Sequence, residues 1–431
     1  MQNRAKRRIP GMTQLLSKRP DMFSYGVWPA YYQRARGAQV WDIDGNEYVD
    51  MSIGGIGANV LGYADPDVDA AVLAAIKDGS SSSLNCPEEL ELADLLCELH
   101  PWADMVRYTR SGGEAMAVAV RIARACTGRD QVAVCGYHGW HDWYLAANLG
   151  TKDALGEHLL PGLESTGVPR ALAGTVHAFR YNNLGEIKAI FANHGHELAA
   201  VVLEPVRNLN PEAGFIEAVR SLTDKQGAVM IMDEISAGFR YNTGGAHMVL
   251  HQPRPDIAVF SKALGNGYPI AAIIGRREVM EAAQKTFISS TNWTERVGPA
   301  AALATIRKHR EKEVHKHLIA IGEYVWQGWK ESAKRHSLRL DVGGMIQMGH
   351  FSIDCEDFLA AKAYFVQLML ERGFLASNLF YAMYAHSFEQ ARAYLRAVDE
   401  SFGLMAEALE NGDLPNRLVG LPSSEGFKRL N

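Results

Sequence analysis

The chain has 431 residues, of which 47% are hydrophobic and 22% charged, and it carries a formal net charge of −5. That length exceeds one ordinary core, so a large domain with a smaller companion is expected. The acidic balance gives no reason to expect nucleic acid or an anionic membrane as partner, and apolar runs well short of about 18 residues argue against a bilayer span.

At the N-terminus Arg4, Lys6, Arg7 and Arg8 form a basic cluster with no apolar stretch behind it, so it reads as a solvated arm and not as a secretory signal. Residues 40–49 carry a strand-turn-strand signal around Asp44-Gly45-Asn46, and residues 1–60 are expected to join a C-terminal small domain. Residues 61–298 form the expected large domain. Within it, 105–109, 132–135, 198–203, 228–232 and 257–260 are continuous apolar runs, the signature of strands buried on both faces. Residues 113–126 and 213–226 show helical spacing between them. This alternation predicts an α/β fold with a doubly wound, mostly parallel sheet. From Pro299 the rhythm changes: a long helix over 299–336, strand-like 339–353, then helices near 358–372 and 388–410, a second and smaller α/β domain over 299–431. Cys86, Cys97, Cys126, Cys135 and Cys355 are odd in number and form no C-x-x-C pair, which predicts reduced, mostly buried thiols and a cytoplasmic location.

Three polar residues stand at expected strand ends. Glu204, Asp233 and Lys262 follow one another at intervals of 29 residues, the length of one strand-helix-strand unit. Ligands of open α/β sheets bind beyond the carboxyl ends of strands, so the three side chains are expected to converge on one crevice. Lysine at such a position is a candidate Schiff-base nucleophile. Arg110-Ser111-Gly112-Gly113-Glu114-Ala115 joins a strand to a helix, and its small residues at a helix N-terminus suit a phosphate. A phosphate turn, an acidic residue and a reactive lysine together describe a pyridoxal-phosphate site, with Asp233 paired to the pyridinium nitrogen. His138 and His141 are spaced like metal ligands but lack a third, and no metal is expected.

Ser111-Gly112-Gly113-Glu114-Ala115, Gly136-Tyr137-His138-Gly139, Glu204-Pro205-Val206, Asp233-Glu234-Ile235-Ser236-Ala237-Gly238-Phe239-Arg240 and the Lys262 segment occur in an order and spacing that resembles the class III, fold type I aminotransferases, the glutamate-1-semialdehyde 2,1-aminomutase branch above all. The resemblance implies that Lys262 forms the internal aldimine with pyridoxal 5′-phosphate, Asp233 holds the ring nitrogen, Tyr137 stacks on one face and Ile235 presses on the other. Ser111, Gly112 and Gly113 would cradle the phosphate, with His138 and Glu204 beside the cofactor. Thr291 resembles the threonine that reaches the phosphate of the neighbouring subunit, which implies a homodimer with shared sites.

The sequence departs from the aminomutase pattern on the substrate side. Only Arg19 could replace a carboxylate-binding arginine near the N-terminus, Ile56 stands where a pocket tryptophan would be, and Tyr381 replaces a glutamate. An aminotransferase with an amino acid donor and another carbonyl acceptor is therefore expected, with the isomerase second and a racemase or epimerase third. Tyr381, Ser236 and Asn292 would suit a sugar-like acceptor.

Overall fold

The continuous apolar runs become strands of one seven-stranded sheet in the computed structural model, which describes residues 1–158, 161–206, 208–250 and 253–425. The chain divides into two units, Pro66–His315 and the paired segments Met1–Asp65 and Lys316–Asn431.

In the larger unit the strand order is Met105–Thr109, Ala271–Gly275, Ile257–Phe260, Val229–Asp233, Leu198–Leu203, Gln131–Cys135, Val176–Ala178. The last five pair in parallel, whereas Ala271–Gly275 runs antiparallel to both of its neighbours. Every residue of Leu198–Leu203, Val229–Asp233 and Ile257–Phe260 is buried, as strands covered on both faces require. Burying one such Val, Leu or Ile side chain stabilises the fold by roughly 1.5–3 kcal/mol. Helix Gly112–Thr127 buries Ala115, Met116, Ala119, Val120, Ile122 and Ala123 in the core formed with the strands, and Gly128, left-handed at φ 68°, terminates it. Small alanines on that face let the helix axis lie close to the sheet. The sequence reading did not separate Ala271–Gly275 from the lysine segment, because a short apolar run behind a Gly/Pro turn lacks any period of its own.

The expected helix over 299–336 is two helices, Val297–Glu311 and Val314–Arg335. Glu313 adopts φ 47° between them, and no glycine or proline marks the break. Val297–Glu311 packs on Pro66–Lys77 and Pro87–Leu99 in the larger unit, although the expected boundary stood at residue 299.

In the smaller unit Tyr32–Arg36, Gln39–Asp42 and Glu47–Asp50 form an antiparallel sheet, and Phe374–Leu375 adds to it in parallel. The Asp-Gly-Asn reversal is held by Asp42, whose Oδ1 accepts the N–H groups of Asp44 and Asn46, both at 2.9 Å. A second antiparallel sheet comprises Leu340–Met345, Met348–Ile353 and Leu379–Tyr381. Helices Phe358–Glu371 and Phe388–Asn411 pack against each other beside it.

Among the described residues no helix is long and apolar enough to cross a membrane. The five cysteines are unbridged, but only Cys135 is buried; Cys86, Cys97 and Cys355 are half-buried and Cys126 is exposed, which corrects the expectation of mostly buried thiols. Cys126 lies in the last turn of its helix, outside the stretch that faces the sheet.

Candidate active site

Leu198–Leu203, Val229–Asp233 and Ile257–Phe260 are adjacent parallel strands, so their carboxyl ends lie side by side. Asp233 is the last residue of its strand, Glu204 follows Leu203, and Lys262 lies two residues beyond Phe260. The even sequence spacing thus corresponds to one strand step each time.

Lys262 opens a 3-10 turn, Lys262–Gly265, with left-handed backbone at φ 47°. A non-glycine residue in that region is uncommon and is held there by its surroundings. Its Nζ donates to Ser236 Oγ at 2.7 Å. Ser236 belongs to the turn that follows Asp233, so one short segment serves both residues.

Asp233 is 3% exposed. Its Oδ2 lies 2.8 Å from His138 Nδ1, and its Oδ1 accepts the Ile235 N–H at 3.0 Å. The other His138 ring nitrogen, Nε2, faces the Cys135 carbonyl at 3.2 Å, so the imidazole stands between two oxygen acceptors and is itself buried. A buried carboxylate without such a partner is costly.

Tyr137, beside His138, is 37% exposed and meets Tyr144 edge-on at 6.3 Å. Its backbone N–H donates to the buried Glu204 Oε2 at 3.1 Å. A Cβ at Gly136, which has φ 120°, would come within 2.4 Å of the same oxygen, so only glycine fits above Glu204. In this arrangement Glu204 anchors the loop that presents Tyr137.

At the start of Gly112–Thr127, Ser111 is the N-cap and Glu114 accepts back from it: Oε2 takes the Ser111 N–H at 2.9 Å and the Ser111 hydroxyl at 3.1 Å. A Cβ on Gly112 would lie 2.8 Å from Ile235 Cδ1, and one on Gly139 would lie 3.1 Å from Gly113 Cα. The glycines of the helix N-terminus therefore let the Asp233 turn and the Tyr137 loop approach its backbone closely. Gly113 also neighbours His141, whose pKa burial lowers.

Thr291 and Asn292 are exposed in the turn Thr291–Thr294. Arg110, next to the phosphate turn, holds the following residues: its Nη2 donates to the carbonyls of Trp293 at 2.8 Å and Glu295 at 2.9 Å, and its Nε lies 2.9 Å from Glu295 Oε1. The sequence offered no signal for this clamp, nor for the His138–Asp233 contact.

Lys262, Ser236, Asp233, Ile235, Gly112, Gly113, His138, Tyr137 and Glu204 are thus joined by direct contacts or by sharing a short loop. Arg19, Ile56 and Tyr381 belong to the smaller unit. Arg19 is buried and bound bidentately to Asp21, with Nε–Oδ1 at 2.9 Å and Nη2–Oδ2 at 2.5 Å. Ile56, at φ 62°, and Tyr381 pack against one apolar cluster built on Phe23, Ile53 and Val366, which Trp28 also joins.

A glycine-faced helix N-terminus, a buried carboxylate, a strand-end amine and an accessible aromatic ring match the phosphate, ring nitrogen, aldehyde and ring face of pyridoxal phosphate. Residues 23–392 match the family described as Aminotransferase class-III. The chain belongs to this family. Class III aminotransferases are pyridoxal-phosphate-dependent enzymes of fold type I, and this chain is one of them. It is 36% identical to a glutamate-1-semialdehyde 2,1-aminomutase of Dechloromonas aromatica, over 93% of this chain and 97% of that one. It is 30% identical to a 3-aminobutyryl-CoA aminotransferase of Cloacimonas acidaminovorans, covering 94% and 96%. The structure of the Sphingopyxis sp. MTA144 FumI protein, solved in a PLP internal aldimine form, superposes with a TM-score of 0.86 at 25% identity, covering 98% of this chain and 97% of that one.

Proposed function

We propose that this class III enzyme transfers an amino group from an amino acid donor to a carbonyl acceptor, with Lys262 as the residue that holds the cofactor and moves the proton. The observation that carries the transferase reading is the Arg19–Asp21 pair. An isomerase must retain its intermediate, and the one N-terminal arginine that could replace a carboxylate-binding arginine is already engaged through its Nε and Nη2 by Asp21. The aminomutase reading stands second, favoured by the 36% identity to a protein of that name.

When bound, pyridoxal phosphate supplies an electron sink conjugated to the amino-bearing carbon. The chain's own residues have separate tasks. Gly112, Gly113 and Ser111 at the helix N-terminus receive the phosphate, and Asp233, fixed by His138, receives the ring nitrogen. Tyr137 and Ile235 bound the two ring faces. Lys262 Nζ takes the proton from the carbon that bears the substrate amine. Thr291 reaches the phosphate in a second copy of the chain, a reading supported by the exposure of Thr291 and of Phe287, which is 84% exposed. Five unbridged cysteines support a reducing, cytoplasmic setting. The sugar-like acceptor draws less support, because Ser236 meets Lys262 and Tyr381 lies among apolar side chains.

The purified protein is expected to be yellow, and Lys262→Ala to lose both turnover and the visible band of the lysine-bound cofactor. Single amino donors are expected to bleach the wild-type band stoichiometrically with release of a keto acid. Isomerisation of an amino-aldehyde without any acceptor would overturn the transferase reading in favour of the mutase. An active species that stays monomeric in light scattering would overturn the shared site.

A further inference from the structure

The Lys262 side chain is long and unbranched and loses much rotamer freedom wherever it is held. Its Nζ nevertheless rests 2.7 Å from Ser236 Oγ. The backbone carrying that hydroxyl is firmly placed. The Glu234 N–H donates to the Val259 carbonyl at 2.9 Å, the Ile235 N–H to Asp233 Oδ1 at 3.0 Å, and the Gly238 N–H to the Glu234 carbonyl at 2.8 Å. A Cβ on Gly238 would lie 2.7 Å from the Glu234 carbonyl oxygen and 2.9 Å from Phe260 Cδ1, so the turn is packed down on the strand that leads to Lys262. The lysine backbone is fixed as well, at φ 47°. Both ends of the Nζ–Oγ contact are therefore set by the fold and not by mobile loops.

We propose that Ser236 is the positioning residue of Lys262: its hydroxyl accepts a hydrogen bond from Nζ and fixes where the amine waits whenever it is not joined to the cofactor. This rests on the reading of Lys262 as the cofactor-holding residue. It also separates Ser236 from the substrate pocket, where sequence reasoning had placed it. Holding one reactant near its partner raises the rate of the bond-forming step without changing the affinity for a substrate that the serine does not touch.

The test uses the full chain with Ser236→Ala and Ser236→Thr. In cofactor-stripped protein, trace acetylation of Lys262 is followed by mass spectrometry from about pH 7 to about pH 12, a window around the ordinary lysine value of about 10.4. Loss of the acceptor disfavours the ammonium form, so Ser236→Ala is expected to become reactive at lower pH than wild type, while Ser236→Thr follows wild type. On mixing with pyridoxal phosphate at a pH above the labelling midpoint of both proteins, where each amine is already neutral, the visible band is expected to appear about threefold to tenfold more slowly in Ser236→Ala, with a matching fall in kcat and little change in KM. Circular dichroism of the stripped variants checks that the fold is retained. A Ser236→Ala protein with wild-type labelling and band formation overturns the proposal, as does a rise in KM alone, which would return Ser236 to substrate binding. A wild-type protein that never develops the band overturns the Lys262 reading itself, and the proposal with it.

Discussion

His138 and Asp233 illustrate what one buried contact contributes. The carboxylate is 3% exposed, and the imidazole is its partner on one oxygen. Removing one member of a buried pair costs more than the pair contributes, because the other is left without compensation. His138→Ala is therefore expected to release pyridoxal phosphate at least tenfold more readily, measured as a rise in Kd by fluorescence titration. Asp233→Asn keeps the shape but removes the charge proposed to hold the ring nitrogen protonated, and is expected to lower kcat by about 100-fold or more with the far-ultraviolet spectrum unchanged. Lys262 and Asp233 were legible in the sequence because each stands at the end of its own apolar run. The task of His138 was not, since its partner lies 95 residues away and only the sheet order brings the two together. The Ser236–Lys262 contact was out of reach for the same reason, because 26 residues separate the two.

The two ends of helix Gly112–Thr127 use glycine differently. At its start, Gly139 of the adjoining loop has φ 103° and would place a Cβ 3.1 Å from Gly113 Cα, a backbone atom that cannot step aside. At its end, Gly128 has φ 68° and nothing within 4 Å of a Cβ. Gly139→Ala is expected to destabilise by about 1–3 kcal/mol and to weaken cofactor binding together with stability. Gly128→Asn, in a conformation asparagine tolerates, is expected to cost less than about 1 kcal/mol and leave cofactor affinity alone. Thermal melts of the two variants with and without pyridoxal phosphate distinguish them. Helices of this kind were readable because their period is strong, and the buried strands because their apolar runs are continuous. The break at Glu313 was not, because a left-handed glutamate between Lys312 and Val314, with no glycine or proline beside it, leaves no compositional trace.

Three histidines couple the stability of the whole molecule to acid. His100 and His309 in the larger unit and His386 in the smaller one are buried, and burial pushes each pKa down to about 4. Each ring has one nitrogen against a backbone carbonyl, of Leu96, Phe239 and Asp50 respectively. The opposite nitrogens lie against the Gly245 N–H, the Thr243 hydroxyl and the Met383 N–H, so the neutral ring satisfies both sides. Unfolded histidine titrates near 6.5, so between about pH 6.5 and about pH 4 the unfolded chain binds protons that the native chain refuses. Stability is then fully present above about pH 6.5 and falls as pH drops toward 4, by up to about 3 kcal/mol for each histidine. Urea midpoints measured from pH 7 to pH 4 are expected to fall steadily, and His386→Gln is expected to flatten the slope.

The smaller unit is built from two stretches separated by the whole of the larger one, and Val49 pairs with Phe374 in its first sheet. During synthesis the N-terminal strands leave the ribosome with their edge unfilled, and they stay so until Phe374–Leu375 has been made. The larger unit, being one uninterrupted stretch, has all of its own strands by residue 275. Biogenesis therefore has a built-in waiting period in which Glu47–Asp50 offers an open hydrogen-bonding edge, and that interval is where chaperone dependence and nascent-chain aggregation would concentrate.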